Sequence, residues 1–371
     1  MGQPEIDRAL MRRCLDLAAR AEGRTTPNPM VGAVVARSGR VIAEAWHHRA
    51  GGAHAEAAAL KRAGTAARGA TLYVNLEPCC HFGRTPPCVD AIVRAGIRRV
   101  VAAHRDPFPR VKGRGLAALR RAGIRVEAGL LQSEAARLNE RYLTSVTRRR
   151  PFVLVKSAMS LDGRIATAEG RSRWITSPAA RERAHRMRAA HDAVMVGAST
   201  VAMDDPRLTA RPRGGSSRQP LRVVMDGRLR ISPRARLLRA GGDVVIYTSR
   251  RAPRARARAF ERAGAIVVAL PAGRDGRLDL RAALRDLRAR GVTSVLIEGG
   301  GELIASALAA RVVDRVALFV APILMGGRRA VPAVGGAGSR SPASAVRLVE
   351  VVTTRVGPDL LIEGSVARRR R

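Results

Sequence analysis

Aromatic side chains are scarce: the 371-residue chain holds two Trp, three Tyr and five Phe. Proteins that grip single-stranded nucleic acid stack bases on interleaved aromatics, and this sequence has no such interleaving. Lysine is rarer still, appearing only at Lys61, Lys112 and Lys156. No run of about 18 apolar residues occurs, which excludes a membrane-spanning helix. The opening residues Met1-Gly2-Gln3-Pro4-Glu5 lack the basic stretch and apolar core of a secretory signal, so a cytoplasmic location is expected. Acidic residues are outnumbered, 30 Asp and Glu against 68 Lys and Arg, for a formal charge of +38.

Taken alone, that charge suggests a nucleic-acid or anionic-membrane partner. Its distribution says otherwise. Residues 1–150 carry 27 basic and 12 acidic side chains, a net of +15, and residues 151–371 carry 41 and 18, a net of +23. No basic domain stands beside a neutral one, and nearly every cation is Arg. An even spread of Arg among abundant Ala and Gly is a compositional habit of the sequence rather than a footprint for a partner, so neither nucleic acid nor membrane is expected.

Cys and His are distributed far less evenly. All four Cys (Cys14, Cys79, Cys80, Cys88) and five of seven His lie in the first 104 residues. Without a secretory signal, these Cys read as thiols or metal ligands rather than a disulfide framework. A length of 371 residues suits two domains of about 100–200 residues each. The N-terminal part alternates helical and strand-like segments. Helices are expected at 5–22, 54–63, 88–95, 113–122 and 133–147, and strands at 31–36, 41–45, 71–76, 98–103 and 124–127. After Arg148-Arg149-Arg150-Pro151 a second alternation begins, with strands at 152–156, 193–196, 221–225, 244–248, 265–269, 294–297 and 316–320. Helices at 177–190 and 301–310 stand out there, and breaker-rich loops fall at 211–220 and 326–342. The pattern predicts two α/β layered domains, residues 1–148 and 149–371.

The sharpest chemical signal is His54-Ala55-Glu56, followed by Pro78-Cys79 and, nine positions on, Cys88. A catalytic zinc takes three protein ligands and keeps one position open for water; one imidazole and two thiolates supply those three. A carboxylate two residues after the His, at a helix start, can carry protons without ligating metal, and zinc deaminases share this His-x-Glu and Pro-Cys pattern. Cys80 is a competing ligand. Cys14 reads as a small core residue, His47 and His48 as surface or supporting groups, and His104 as a strand-end polar residue.

In the second part, Leu296-Ile297-Glu298-Gly299-Gly300-Gly301-Glu302-Leu303 runs from a strand through a Gly-rich turn into a helix. Such a turn lets backbone N–H groups approach phosphate oxygens at a helix N-terminus, although a simple tight turn would look the same. No G-x-G-x-x-G opens a first βα unit, so a Rossmann site is not supported.

Several segments together closely resemble one family, the bifunctional deaminase/reductases of riboflavin biosynthesis. They are Asn28-Pro29-Met30-Val31-Gly32, His47-His48, Ala50-Gly51-Gly52-Ala53-His54-Ala55-Glu56, and Leu76 through Cys88 with its long Cys–Cys loop. In the second part they are Lys156-Ser157-Ala158-Met159-Ser160-Leu161-Asp162-Gly163-Arg164, Ser172-Arg173-Trp174-Ile175-Thr176, and Ser199 through Thr209. The resemblance implies a cytidine-deaminase-like α/β/α sandwich with zinc, followed by a dihydrofolate-reductase-like α/β domain using NADPH. It implies His54, Cys79 and Cys88 as zinc ligands, Glu56 as proton shuttle, and Asn28, His81, Arg84 and Asp106 as deaminase substrate contacts. For the reductase it implies NADPH contacts at Ala158, Trp174, Thr200, Asp204 and Gly299, Gly300, Gly301, Glu302 and Leu303. Ser172, Arg188, Leu208, Arg211 and Glu298 would contact the reductase substrate.

By residue type alone, Arg188 and Arg211 would be solvated surface charges and Trp174 a packed core aromatic. The sequence departs from the family's usual residues at Cys80 (commonly Ser), Phe108 (commonly Asn) and Glu302 (commonly Pro or small). The implied activity is hydrolytic deamination of a 2,5-diamino-6-ribosylamino-4-pyrimidinone 5′-phosphate and then reduction of its ribosyl group to ribityl. Its partners would be phosphorylated pyrimidines, with a homo-oligomer left open. The alternatives are a nucleic-acid deaminase, or a deaminase joined to a reductase-like domain that is only structural.

Overall fold

The computed structural model describes residues 2–83, 85–215, 218–273 and 275–367. They form two compact units, Met1–Arg150 and Pro151–Arg371.

The first unit runs α1 (Gln3–Ala19), β1 (Gly32–Arg37), β2 (Arg40–Trp46), α2 (Ala55–Ala63), β3 (Thr71–Val74), α3 (Cys88–Arg94), β4 (Arg99–Ala102), α4 (Arg114–Arg121), β5 (Arg125–Ala128), α5 (Gln132–Leu138) and α6 (Glu140–Arg148). The sheet order is β2-β1-β3-β4-β5. β1 is antiparallel to both its neighbours, and β3, β4 and β5 are parallel. Side chains alternate across the sheet, and the two faces are covered by different helices. Ala33, Val35, Leu72, Val74 and Val100 pack with Ala59, Leu60, Ile92, Leu116 and Leu119 from α2, α3 and α4. Val34, Tyr73 and Val101 pack instead with Leu10, Met11, Cys14, Leu17 and Ala135 from α1 and α5. This is the expected α/β/α sandwich, and Cys14 is indeed a core residue.

One expected helix, 133–147, is two. It breaks at Asn139, whose φ of −100° and ψ of 20° leave the helical region. The buried Asn139 side chain accepts from Met30 N–H (2.8 Å) and donates to Met30 C=O (2.9 Å). A residue that serves the backbone of another loop is exchanged for one turn of helix.

The second unit contains β6 (Phe152–Ser160), β7 (Arg164–Ala166), α7 (Pro178–Ala190), β8 (Ala193–Gly197), α8 (Ala198–Asp204), β9 (Leu221–Met225), α9 (Arg236–Arg239), β10 (Val244–Ser249), α10 (Arg254–Arg262), β11 (Ile266–Leu270), α11 (Leu280–Ala289), β12 (Ser294–Glu298), α12 (Gly301–Ala309), β13 (Arg315–Ala321), β14 (Val331–Pro332), β15 (Leu348–Val356) and β16 (Asp359–Val366). Nine strands form one sheet in the order β11-β10-β9-β8-β12-β6-β13-β16-β15. The run from β11 to β13 is parallel, and β16 and β15 add an antiparallel edge. Helices α11 and α12 cover one face, and α7 and α10 the other. The chain order changes direction around β8, β12 and β6. Ligands of open α/β sheets lie outside the strand C-termini at such a switch point. Among the described residues, no helix is long and apolar enough to cross a membrane.

Candidate deaminase and reductase sites

In the first unit, two helix N-termini converge on one point. His54 is the residue before α2, and Cys88 is the first residue of α3. Cys79 comes from the loop between β3 and α3. The ligand atoms of His54, Cys79 and Cys88 all lie within 4.8 Å of one another, the one group of metal-ligand type found among the described residues. His54 Nδ1 is 3.3 Å from Cys88 Sγ and 3.5 Å from Cys79 Sγ. The backbone N–H of Cys88 donates to Cys79 Sγ at 3.3 Å, so the start of α3 supports a thiolate there. The Cys79 thiol is accordingly held below its ordinary range by the Cys88 thiol and by His54, while Cys88 is pushed up by Cys79 and by burial. Two soft sulfurs and one imidazole, with a thiolate already favoured, fit zinc.

Glu56 sits in the first turn of α2, buried beside the cluster, and burial raises its carboxyl pKa. Cys80 is turned away, with its thiol on Arg110 C=O at 3.6 Å.

Two of the surrounding residues, Thr85 and Glu77, were given no role by the sequence. Thr85 Oγ1 lies 3.3 Å from His54 Nε2, holding the ring nitrogen that faces away from the thiols. His47 is buried, bonded to Asn28 Nδ2 (3.1 Å) and Ala53 C=O (2.9 Å), and its ring meets His54 edge-on at 5.4 Å. Asn28 therefore reaches the cluster through His47. Glu77 is buried and accepts from the N–H groups of Asp106, Gly113, Gly115 and Leu116, which ties the Cys loop to the start of α4. His81 Nδ1 is buried without a hydrogen-bond partner among the described residues, and its ring lies 5.7 Å from Phe108. Asp106 is buried as well. Its carboxylate accepts from Phe108 N–H (2.9 Å) and from Tyr142 Oη (2.9 and 3.1 Å), and burial raises its pKa. Arg84 lies outside the described residues.

The second unit opens a cavity of about 800 Å³ at the C-terminal ends of β6, β8 and β12. The Gly turn forms one wall. Gly299 and Gly300 have φ of +67° and +77°, a region that favours glycine. A side chain on Gly300 would crowd Thr200, and one on Gly301 would meet the Pro332 carbonyl. The turn thus presents bare backbone at the start of α12, a cradle suited to a dinucleotide's phosphates.

The cavity gathers Ala158, Ser172, Trp174, Thr200, Asp204, Arg211 and Glu298. Ser172 Oγ donates to Asp204 at 2.6 Å. Trp174 is 70% exposed, with the Arg181 guanidinium 4.3 Å over its ring, so it is no core aromatic. Arg188 is no surface charge either: it is largely buried and paired with Glu298. Arg211 stays near the surface, bonded to Thr209 Oγ1, and its pKa is lowered by burial and by neighbouring arginines. Leu208 has φ of +56° and packs its side chain into the core with Phe152 and Val224, so only its backbone can face a ligand. Leu303 likewise belongs to the core, and Glu302 bonds Arg277 and the Gly336 N–H.

Lys156, passed over by residue-type reasoning, pairs in register with Glu298 on the adjacent strand and lines the cavity. Burial lowers its pKa against the opposing pull of Glu298. As one of three lysines in an arginine-rich chain, it carried the one compositional signal that could have marked it.

A His-Cys-Cys cluster with a buried Glu on an α/β/α sandwich, and a Gly-turn cavity at the switch point of a second sheet, define a deaminase joined to a reductase. Residues 4–104 match the cytidine and deoxycytidylate deaminase zinc-binding region, and residues 151–362 match the RibD C-terminal domain. The riboflavin biosynthesis protein RibD of Aquifex aeolicus is 40% identical over 360 residues, 96% of this chain and 98% of that one. A solved structure of Acinetobacter baumannii RibD superposes with a TM-score of 0.89 at 35% identity, over 99% of this chain and 100% of that one. A Thermotoga maritima structure described as a diaminohydroxyphosphoribosylaminopyrimidine deaminase/5-amino-6-(5-phosphoribosylamino)uracil reductase gives 0.85 at 36%, with the same coverage. The chain belongs to the RibD family, the bifunctional deaminase/reductases of riboflavin biosynthesis. These full-length matches favour that reading over a nucleic-acid deaminase.

Proposed function

We propose that the chain deaminates 2,5-diamino-6-ribosylamino-4(3H)-pyrimidinone 5′-phosphate and then reduces the ribosyl group of the product, giving 5-amino-6-(5-phosphoribitylamino)uracil in the cytoplasm. The observation that carries the first step is the His54–Cys79–Cys88 cluster with Glu56 buried beside it. Those three residues would hold zinc, which supplies Lewis acidity for the hydrolytic water when bound. Glu56, with its pKa raised by burial, takes a proton from that water and delivers it to the departing amino group. Asn28 and His81 would contact the base, and Arg84 would take the phosphate. Asp106, whose carboxylate accepts from Tyr142, would be a further substrate contact.

For the second step, Ala158, Trp174, Thr200, Asp204 and the turn from Gly299 to Leu303 would hold NADPH, which supplies the hydride when bound. Ser172, Arg188, Arg211, Glu298 and the backbone of Leu208 orient the substrate. Lys156, in register with Glu298 on the adjacent strand, would supply the proton that accompanies the hydride. Arginine suits a phosphate monoester because its planar fork donates two bonds at once.

The test is a two-part assay on purified protein. Ammonia should be released from the diaminopyrimidine without NADPH, and NADPH should be oxidised only with the deaminated compound. Ammonia release without any NADPH oxidation would leave the second domain structural and overturn the second step.

A further inference from the structure

Helix α7 holds the segment after α8 by three side chains spaced three residues apart, and so on one face. Glu182 accepts from Arg213 N–H (3.0 and 3.1 Å), His185 Nδ1 accepts from Arg211 N–H (3.2 Å), and Arg188 donates to Thr209 C=O (3.2 Å). Alternate residues of the segment are thus fixed, one by each side chain. Ala210, between Thr209 and Arg211, is held by the Gln219 amide, which accepts from its N–H (2.8 Å) and donates to its C=O (2.9 Å).

His185 is the middle one of the three, half-buried in the wall of the larger cavity. A ring nitrogen that accepts from a backbone N–H is unprotonated, so His185 carries its proton on Nε2 and is neutral. The surroundings favour that state. Burial, then Arg188 and Arg211, push the ring's pKa below its ordinary 6.5, against Glu298 and the Thr209 backbone. Arg181 and Glu182 on α7, Arg207 and Arg213 on the segment, Arg236 on α9 and Lys156 on β6 share the cavity with the ring. The one acid in that group, Glu182, is committed to Arg186 and to the Arg213 N–H.

We propose that His185 is a positioning residue for the reductase substrate: as a neutral acceptor it fixes Arg211 at the cavity wall, and protonation of the ring releases the segment and weakens binding of the phosphorylated substrate. This rests on the reading given above that Arg211 contacts that substrate. It makes substrate affinity, rather than the hydride step, the quantity that responds to pH.

Steady-state oxidation of NADPH by the full chain, with the deaminated substrate, tests it. His185→Leu removes the acceptor and should raise KM about three- to tenfold, the loss of one hydrogen bond. The kcat should stay within about twofold, as when binding common to ground and transition states is lost. Added to Arg211→Ala, His185→Leu should cost nothing further, because its effect passes through Arg211; losses that multiply would overturn the proposal. His185→Asn places an oxygen where Nδ1 stands, an acceptor that does not titrate. From about pH 7.5 down to about pH 5.5, KM of the unaltered chain should rise about three- to tenfold relative to this variant. The substrate's own phosphate, which titrates at about pH 6, moves both chains alike and cancels in the ratio. A ratio that stays flat overturns the proposal. So does one that falls, which would make the ring a cationic contact for the phosphate. Should the leucine variant fail to fold, the pH profile against His185→Asn decides alone. If the unaltered chain oxidises no NADPH with this compound, the reductase reading itself falls and the proposal with it. If it does, and the His185 variants match it at every pH, the positioning role alone falls.

Discussion

Arg188 and Glu298 lie 110 positions apart and meet in a two-pronged ion pair, Nε to Oε1 and Nη2 to Oε2, both at 2.7 Å. Their side chains are only 16% and 8% exposed. The pair joins α7 to the end of β12, and Arg188 also donates to Thr209 C=O at 3.2 Å. Removing one partner leaves the other charge buried. Arg188→Met should therefore lower stability by about 3–5 kcal/mol, read as a shift of the urea midpoint, while Arg188→Met with Glu298→Leu recovers much of the loss.

The same pair sets a pH dependence. Burial alone would raise the Glu298 pKa, but the Arg188 guanidinium outweighs it and holds the carboxyl at about 2, against an ordinary 4.5. A depressed folded-state pKa stabilises fully above the unfolded value and fades as pH falls toward the folded one. The contribution is complete above pH 4.5 and is lost between there and about 2. Urea midpoints at pH 6 and pH 3 should fall further for the unaltered chain than for Glu298→Gln.

Glu56→Ala should reduce ammonia release by about 10²- to 10⁴-fold, the contribution of a positioned acid–base group. NADPH oxidation on the deaminated substrate should be unaffected, because that chemistry belongs to the other domain. Normal deamination by this variant would remove Glu56 from the mechanism.

Metal content separates the two adjacent cysteines. Cys80→Ser should retain one zinc per chain, since Cys80 bonds Arg110 C=O rather than the cluster, whereas Cys79→Ser should lose it. Thr85→Val should weaken zinc about 10- to 100-fold in chelator competition, because the hydrogen bond to the outer ring nitrogen orients the ligand. Thr85→Ser should restore it.

Gly115 offers a test of the scaffold. A Cβ there would run into the Pro78 carbonyl, one residue before Cys79, and crowd Glu77. Gly115→Ala should cost about 1–3 kcal/mol and lower zinc affinity, although residue 115 touches no ligand atom.

Local spacing was enough to read most of the elements. The helices starting at Ala55 and Cys88, and the parallel strands that carry Lys156 and Glu298, follow from apolar periodicity and from the breakers beside them. The hairpin β15–β16 was not legible in this way. Along β15 the interior positions are all exposed, so no buried face imprints a period of two on the sequence. The break at Asn139 was equally hidden, because it depends on the backbone of Met30, 109 positions away.

For the sites, the sequence by itself determined which residues can do chemistry: one His-x-Glu, a pair of cysteines after proline, and a Gly turn between strand and helix. Soft ligands and glycines are few enough in such a chain for their spacing to carry information. Only the tertiary structure decided what the abundant residue types do. It buried Arg188 against Glu298, left Trp174 exposed beneath Arg181, bonded Asp106 to Tyr142, and pointed Thr85 at His54. Burial and partnership are properties of a position in space, and in a chain with 68 basic side chains no residue type announces which one will be taken out of water.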